Sequence, residues 1–338
     1  MNFRTLAEIK NLAGKRVLLR GDLDIPLAGG NVGEDYRLKA LIPTIKHLRE
    51  KGARVLIIGH LGRPKGKKDP NLSLKPIADW FSKELNKEVK FFADFPALNT
   101  QYEFALLENL RFWPGEEGNS PVFSKKLASL GDIYVNDAFG NSHRNHASMA
   151  GITKFLPSYA GIRLEEEVEE LGNVLKDPAR PLVLVLGGAK TETKMPLVPS
   201  FAKVADQVLL GGLLMFDHQL EGTSKVVFPV DAADAYDIGP KTIKLFTKII
   251  KEAKTVVWNG PLGKWEDSRY ELGTRAIAEE LAILKEAKTV VGGGDTIAAL
   301  SSFGLLSEMD YVSLGGGAML EFLAGKNLPG LASLQEAA

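Results

Sequence analysis

Cationic side chains are concentrated in four segments of the first half of the chain, each directly after a short hydrophobic run. The segments are residues 20–26, 59–64, 108–112 and 136–144, and Arg37 lies between the first two. Together they supply several arginines and two histidines. Because a guanidinium presents a planar fork of donors that matches carboxylate and phosphate oxygens, this convergence predicts a site for a small ligand with several negative charges.

Glycine takes the place of arginine in the corresponding segments of the second half. Each glycine-rich run follows a predicted strand and precedes a predicted helix; the runs are residues 187–190, 211–212, 292–296 and 315–317. Glycine lets the backbone approach a phosphate, and a helix N-terminus offers unpaired N–H groups. Asp295 suits Mg²⁺, which proteins usually hold with one or two carboxylates plus substrate phosphates. The second half is therefore predicted to bind a nucleotide, with Lys190 and Lys194 neutralising phosphate charge.

Strands must bring these segments to one edge of a sheet. Short β-branched runs alternate with amphipathic segments of helix length, which indicates parallel α/β sheets, and ligands bind such sheets beyond the carboxyl ends of the strands. The first series of predicted strands covers residues 16–20, 54–59, 104–107 and 132–135. The second series covers residues 182–186, 207–210, 255–258, 289–291 and 311–313.

The length of 338 residues favours two domains, because single cores rarely grow this large. The predicted fold class is α/β, with two Rossmann-like domains of parallel sheets joined by a hinge helix centred on residues 164–175. The expected division is a first domain at 1–160, a connecting helix at 161–176 and a second domain at 177–320, with the tail 321–338 returning to the first domain.

Composition excludes several classes of protein. Lys plus Arg and Asp plus Glu number 42 each, which leaves no global reason to bind nucleic acid or an anionic membrane. The absence of cysteine excludes disulfides, thiolate nucleophiles and zinc–thiolate sites, and it fits a reducing compartment. Residues 1–11 do not resemble a secretory signal, and no window has the roughly 20 apolar residues of a membrane span. A soluble, cytoplasmic protein is expected.

Eight motifs, in order along the chain, resemble those of the phosphoglycerate kinase family. They are residues 22–26, 60–64, 107–112, 136–140, 186–190, 258–263, 292–296 and 315–318. The resemblance extends essentially from end to end. It implies reversible phosphoryl transfer from 1,3-bisphosphoglycerate to ADP in glycolysis and gluconeogenesis, with Mg²⁺ bound to the nucleotide, and together with the balanced charge it makes a monomer the expected state.

The resemblance also implies roles for individual residues. Those assigned to 3-phosphoglycerate are Asp22, Asp24, Arg37, His60, Arg63, Arg111 and Arg144. Those assigned to the nucleotide are Gly187, Gly188, Lys190, Lys194, Gly211, Asn259, Pro261, Glu266, Gly294, Asp295 and Thr296, with Asp295 also holding Mg²⁺. Those assigned to the phosphoryl group in flight are Arg37, Lys190, Gly293 and Gly316. Both reacting groups are already ionised, so the reaction needs alignment and positive charge rather than a general base.

The departures of the sequence from the family pattern include one substitution and two shortened segments. Asp24 stands where family members usually have asparagine, which puts a carboxylate near an anionic ligand. The chain is also short between Phe216 and Phe228 and near residues 231–237, where family members enclose adenosine. These departures leave open a family-like protein that binds ligands without catalysing transfer.

Other interpretations of single motifs were weighed. One glycine-rich turn alone is as typical of a helix cap as of a phosphate site. His143 and His146 have a spacing that could pair them on a metal, yet no third ligand is evident. Ala189 replaces the glycine that a Walker loop needs before Lys190, and no Gly-x-Gly-x-x-Gly motif indicates a nicotinamide dehydrogenase.

Overall fold

The computed structural model describes residues 3–220 and 222–336 of the chain. These residues form two compact units. Unit 1 contains the described residues up to Val168 and those from Asn327 onward, and unit 2 contains Glu169–Lys326. Within the described ranges, no helix combines the length and the apolar character needed to cross a membrane.

Unit 1 is built on a six-stranded sheet in which all neighbouring strands are parallel. The strands of the unit are β1 (Arg16–Gly21), β2 (Leu27–Ala28), β3 (Asn31–Val32), β4 (Arg54–Ile58), β5 (Val89–Phe92), β6 (Phe104–Leu107), β7 (Ile133–Asp137) and β8 (Ser158–Ala160). The helices are α1 (Tyr36–Glu50), α2 (Lys75–Glu84), α3 (Pro121–Ala128) and α4 (Ile162–Lys176). The sheet order is β5-β6-β4-β1-β7-β8, and β2 pairs with β3 in a separate hairpin.

Hydrophobic patterning explains why these elements form. Leu18 and Leu19 in the central strand β1 are fully buried, as expected for a parallel sheet covered on both faces. The buried positions of α1 recur with the helical period; they include Leu38, Leu41, Ile45 and Leu48. Gly21 pairs with Asp137 in register, so β1 and β7 end at the same edge of the sheet. The segments that carry arginine and histidine leave the sheet at that edge.

Unit 2 has a second six-stranded parallel sheet, in the order β11-β10-β9-β14-β15-β16. The strands of the unit are β9 (Leu182–Leu186), β10 (Gln207–Leu210), β11 (Val226–Val227), β12 (Ala232–Ala233), β13 (Asp237–Ile238), β14 (Thr255–Asn259), β15 (Lys288–Gly292) and β16 (Tyr311–Ser313). The helices are α5 (Thr191–Lys194), α6 (Val198–Val204), α7 (Pro240–Glu252), α8 (Leu272–Ile283), α9 (Gly294–Ser302) and α10 (Gly317–Leu323). This is the strand order of a Rossmann domain, and the chain order reverses between β9 and β14, where ligands of such sheets bind.

The last helix, α11 (Pro329–Glu336), packs in unit 1 rather than in unit 2. Leu331 and Leu334 are buried, the Gly330 N–H donates to the Ser142 carbonyl at 2.8 Å, and the Ser333 hydroxyl donates to the Met149 carbonyl at 3.3 Å. The final residues of the described chain therefore complete the core of unit 1.

Two boundaries separate the units. The first lies inside α4, after Val168, and so within the predicted connecting helix 161–176. The second lies at Asn327 rather than at residue 321, because α10 still belongs to unit 2. A Cβ atom on Gly292 of β15 would lie 2.4 Å from the Met319 sulfur, which shows how closely α10 covers that sheet.

All nine predicted strands are present, with ends within two residues of those expected. The predicted fold class, two parallel α/β sheets in a Rossmann-like arrangement, is confirmed. Unit 1 differs from the Rossmann order at one edge, where β6 lies between β5 and β4. Three sheet strands, β5, β8 and β11, were not predicted.

Candidate active site

Arg37 and Asp22 form the centre of the candidate site in unit 1. Asp22 follows β1 directly, and Arg37 lies in the first turn of α1. Arg37 Nη1 donates to Asp22 Oδ2 at 2.9 Å, and Asn141 Nδ2 donates to Asp22 Oδ1 at 3.3 Å. The Asp22 carboxylate raises the pKa of the Arg37 guanidinium above its ordinary value, so Arg37 is held in place and fully charged.

A network of side chains fixes the loop after β4. Asn109 Nδ2 donates to the carbonyls of Leu61 at 2.7 Å and Leu72 at 2.9 Å, and Arg111 Nη1 donates to the Gly62 carbonyl at 2.7 Å. Asp24 Oδ1 accepts the Gly62 N–H at 2.9 Å. Asp24 therefore stabilises the loop that carries His60 and Arg63, in addition to placing a carboxylate at the site.

Three histidines lie among the arginines of unit 1: His60, His143 and His146. Burial lowers the pKa of each imidazole, to about 4 for His143, to about 3 for His146 and well below the ordinary range for His60. The positive charges of Arg111 and neighbouring arginines contribute to these shifts. The imidazoles are therefore neutral at physiological pH, and the positive charge of the site resides on guanidinium groups.

The structure brings most of the predicted substrate residues to one edge of the unit 1 sheet. Direct contacts link Asp22 with Arg37, and Asp24 and Arg111 with the loop that contains His60. Arg63 and Arg144 are exposed, and their side chains form no hydrogen bond or ion pair within the described ranges. They are therefore available to an incoming anion.

In unit 2, Lys194 lies at the point where the sheet order reverses. Lys194 Nζ donates to the Gly187 carbonyl at 2.7 Å, to the Asn259 carbonyl at 3.1 Å and to Asn259 Oδ1 at 2.9 Å. These bonds use all three ammonium hydrogens. Lys194 thus joins the carboxyl ends of β9 and β14, and a phosphate group must replace one of these acceptors to contact it directly.

Nucleotide affinity should depend on pH through Lys194. Burial lowers the pKa of Lys194, Asp295 opposes this shift and Lys190 adds to it, and the resulting pKa is about 8. A bound phosphate would restore the charge, so nucleotide binding takes up a proton above pH 8. We expect the affinity for ATP to fall about tenfold between pH 7 and pH 9. Calorimetric titrations in buffers of different ionisation enthalpy measure this uptake.

The Lys194→Met variant is the control, because it should bind ATP more weakly and without this pH dependence. Constant wild-type affinity over the window, with no proton uptake, would contradict the assignment. The stability of the ligand-free protein should show the opposite dependence on pH. Since the unfolded chain keeps the proton up to about pH 10.5, stability should rise as pH increases from 8.

The glycines that follow the strands of unit 2 fall into two kinds. A Cβ on Gly187 would lie 2.2 Å from the Pro261 carbonyl oxygen, and one on Gly211 would lie 2.4 Å from Leu262 Cδ2. Cβ atoms on Gly294 and Gly317 would meet nothing within 4 Å. Close packing therefore requires glycine at positions 187 and 211. At positions 294 and 317, glycine instead leaves the backbone accessible at the starts of α9 and α10.

Alanine substitutions should separate these two roles. Gly187→Ala should destabilise the protein by about 1–3 kcal/mol, because its methyl group meets fixed backbone atoms. Gly294→Ala should leave stability within about 1 kcal/mol of wild type, since alanine is the better helix former. It should nevertheless weaken nucleotide binding. Denaturant unfolding and equilibrium dialysis with ATP measure both effects, and normal ATP binding by Gly294→Ala would rule out phosphate approach at this glycine.

Lys190 and Asp295 line the same cavity. Lys190 lies directly before α5 and is exposed, and Asp295 is exposed in the first turn of α9. The Thr296 hydroxyl accepts the Gly260 N–H at 2.7 Å and so ties α9 to the loop after β14. No group of three or more His, Cys, Asp or Glu side chains in the described part of the chain could hold a metal ion. A lone carboxylate fits Mg²⁺ that is held mainly by nucleotide phosphates and water.

A second, more apolar cavity adjoins the first and shares Gly188, Ala189 and Asp295 with it. Its other lining residues include Gly212, Leu213, Tyr236, Pro261, Lys264 and Glu266. The Tyr236 ring packs against Tyr270, with centroids 5.0 Å apart. Sequence motifs predicted Pro261 and Glu266 here but missed Leu213, Tyr236 and Lys264. Gly212, with positive φ, lines the cavity instead of the predicted Gly211.

The two units define a class of protein: an α/β protein with an arginine-rich cluster at the sheet edge of one unit and a glycine-lined cavity in the other. Comparison with known proteins identifies the family. The family model "Phosphoglycerate kinase" matches residues 6–225 and 218–326. The chain belongs to the phosphoglycerate kinase family.

Individual relatives agree along the whole chain. The phosphoglycerate kinase of Borrelia garinii subsp. bavariensis is 39% identical over 395 residues, covering 99% of this chain and 100% of the relative. The Coxiella burnetii phosphoglycerate kinase structure has a TM-score of 0.84 at 36% identity, and that of Pyrococcus horikoshii OT3 has 0.87 at 29%. Each structural alignment covers 99% of both chains. The predicted family and its activity, reversible phosphoryl transfer in glycolysis, are confirmed.

The comparisons also bear on the predicted missing segments. The alignment with the Borrelia relative is longer than the 338 residues of this chain, so the relative carries residues that this chain lacks. The family match falls into two pieces that meet at residues 218–225. That junction lies between Phe216 and Phe228, where the sequence predicts the largest loss.

Proposed function

We propose that unit 1 binds 3-phosphoglycerate or 1,3-bisphosphoglycerate and that unit 2 binds ADP or ATP together with Mg²⁺. The main support for this proposal is that the two units offer different groups to an anion. The unit 1 site holds its charge on arginines around neutral histidines. The unit 2 cavity offers open glycine backbone at helix N-termini, together with Lys190 and Lys194.

Each part of the unit 1 ligand has a suitable partner. Arg37, in the first turn of α1 and held there by Asp22, is assigned to the carboxyl group that carries the transferred phosphoryl group. The exposed Arg63 and Arg144, with Arg111 behind them, are assigned to the distal phosphate. Bidentate guanidinium donors suit both groups. Asp22, which is also assigned to the ligand, keeps Arg37 in position.

The transfer step needs charge stabilisation and alignment. Neither reacting group requires a base, because a carboxylate and a nucleotide phosphate are both ionised. Lys190 and the N–H groups near Gly293 and Gly316 are assigned to the equatorial oxygens of the phosphoryl group. Mg²⁺ held by Asp295 would neutralise charge on the nucleotide phosphates. Arg37 would stabilise the carboxylate that is released.

Three further expectations belong to this proposal. Helix α4 has residues in both units and is assigned the role of hinge. The protein is proposed to act in the cytoplasm, which the lack of cysteine supports. It is proposed to act as a monomer, in keeping with its balanced charge.

A coupled assay of Mg²⁺-dependent ATP consumption with 3-phosphoglycerate tests the proposal, with wild type compared to Asp24→Asn. Asparagine keeps an oxygen for the Gly62 N–H, so the variant removes a negative charge without freeing the loop. We expect turnover in both proteins and a lower KM for 3-phosphoglycerate in the variant. Folded proteins that bind ligands without turnover would favour the non-catalytic alternative.

A further inference from the structure

A buried pair of opposite charges lies beneath the arginine cluster of unit 1, and the mechanism above gives it no role. Glu116 is 0% exposed and Arg20 is 1% exposed. Burying two charges is costly unless their donors and acceptors are satisfied. The pair is not in direct contact, since Ser148 lies between the two side chains.

Ser148 connects the pair with a defined direction. The Ser148 hydroxyl donates to Glu116 Oε1 at 2.6 Å, and the Ser148 N–H donates to Glu116 Oε2 at 3.0 Å. Arg20 Nε donates to the same hydroxyl at 3.0 Å. Because arginine can only donate, the hydroxyl hydrogen is directed at Glu116, and the chain of bonds runs from Arg20 to Ser148 to Glu116.

The other end of Arg20 determines the state of His60. Arg20 Nη2 lies 3.0 Å from His60 Nδ1. Since the guanidinium always donates, Nδ1 is the acceptor and the imidazole carries its hydrogen on Nε2. His60 Nε2 lies 3.7 Å from Asp24 Oδ2, and the Asp24 side chain is 43% exposed at the site. The imidazole therefore directs a donor toward the ligand side.

Other groups around Glu116 do not substitute for this role. His146 Nδ1 lies 3.8 Å from Glu116 Oε1, but His146 is neutral because its pKa is about 3. The Tyr134 hydroxyl donates to the Ser148 carbonyl at 2.7 Å and not to the carboxylate. Arg20 is therefore the cation that the carboxylate of Glu116 holds in position through Ser148.

We propose that Glu116, acting through Ser148 and Arg20, is a positioning residue that holds His60 as the Nε2–H tautomer and so presents one N–H donor to an anionic group of the unit 1 ligand. The inference rests on the proposed function of unit 1, because it names the residue that orients a ligand donor there. Glu116 itself does not touch the ligand.

The test uses the full chain labelled with ¹⁵N-histidine. Two-bond ¹H–¹⁵N correlations report which ring nitrogen of His60 carries the hydrogen, and the spectrum of His60→Gln assigns the signals. Wild type should show His60 as Nε2–H. In Glu116→Gln and Ser148→Ala, a population with the hydrogen on Nδ1 should appear. Glu167→Gln, at an equally buried acid paired with Arg163 at 2.9 Å, should leave the His60 tautomer unchanged.

Kinetics supply a second readout. KM for 3-phosphoglycerate should rise about tenfold in Glu116→Gln and Ser148→Ala, as expected for one weakened charge-assisted hydrogen bond. KM for ATP should stay within about twofold, because only unit 1 is altered. If Glu116 and Ser148 had only a structural role, their variants would lose stability, but KM for 3-phosphoglycerate would not rise selectively and the His60 tautomer would not change.

Two results would each overturn the proposed role of Glu116. An Nδ1–H or charged His60 in wild type would overturn it whether or not the variants fold. Folded variants with an unchanged His60 tautomer and an unchanged KM for 3-phosphoglycerate would do the same. The tautomer is measured without substrate, so absence of wild-type turnover would count against the proposed function and leave the tautomer result in force.

Discussion

Arg37→Ala should lower kcat by about 10²–10³-fold, the usual cost of removing one donor that stabilises transition-state charge. The nucleotide dissociation constant should change by no more than about twofold, because Arg37 lies in unit 1. Two consequences of the substitution should both lower kcat. The variant loses the cation assigned to the reacting carboxyl group, and it leaves the Asp22 carboxylate, with 6% of its side chain exposed, without its partner at 2.9 Å. Steady-state kinetics and ATP titration measure both quantities.

A double variant separates these two effects. If the uncompensated Asp22 carboxylate causes most of the loss, Asp22→Asn in the Arg37→Ala background should recover most of the activity. If Arg37 acts on the phosphoryl group directly, the double variant should remain slow. Arg37→Lys keeps the charge without the planar fork and should fall between wild type and Arg37→Ala. Selective loss of ATP affinity in Arg37→Ala would show that Arg37 is placed wrongly.

Lys190→Ala is expected to reduce kcat by about a thousandfold, with a change in nucleotide affinity of about fivefold or less. The structure distinguishes two lysines in the cavity. Lys194 donates three hydrogen bonds to fixed acceptors, whereas the exposed Lys190 ammonium makes none to the described residues. Lys190 can therefore follow the phosphoryl group during transfer. Single-turnover kinetics at saturating ATP isolate that step.

Lys248→Ala is the matched control for Lys190→Ala. Lys248 is exposed on α7 in unit 2, so its removal changes the charge of the unit equally without altering the cavity. It should leave kcat unchanged. Normal turnover in Lys190→Ala would exclude a role for this lysine in the transition state.

The predicted and missed strands differ in where they lie in the sheets. Hydrophobic runs predicted interior strands such as β9, whose five residues are all buried. The three strands missed in the six-stranded sheets, β5, β8 and β11, all lie at sheet edges. An edge strand pairs on one side only, so it can be short or half-buried and its periodicity is weak; β11 has two residues, and Lys90 in β5 is exposed.

The candidate site likewise contains residues that the sequence pattern indicates and contacts that it does not. Residue type and position after a strand led to the prediction of Lys190 and Asp295 as site residues, and the resemblance to the family added the role of Arg37. The contact between Glu116 and Ser148 joins residues 32 positions apart, and no local pattern relates them. Tyr236 reaches its cavity because Asp234 and Ala235 adopt positive φ, which their residue types do not predict. Such placements depend on tertiary structure and are not visible in one sequence.

The return of α11 to unit 1 has a consequence for biosynthesis. Domains of a growing chain generally fold in the order in which they leave the ribosome. Here Leu331 and Leu334 belong to the core of unit 1 but are translated after the whole of unit 2. Unit 2 can therefore complete its core while unit 1 still lacks its last helix. During translation, the unit that is begun first is the one finished last.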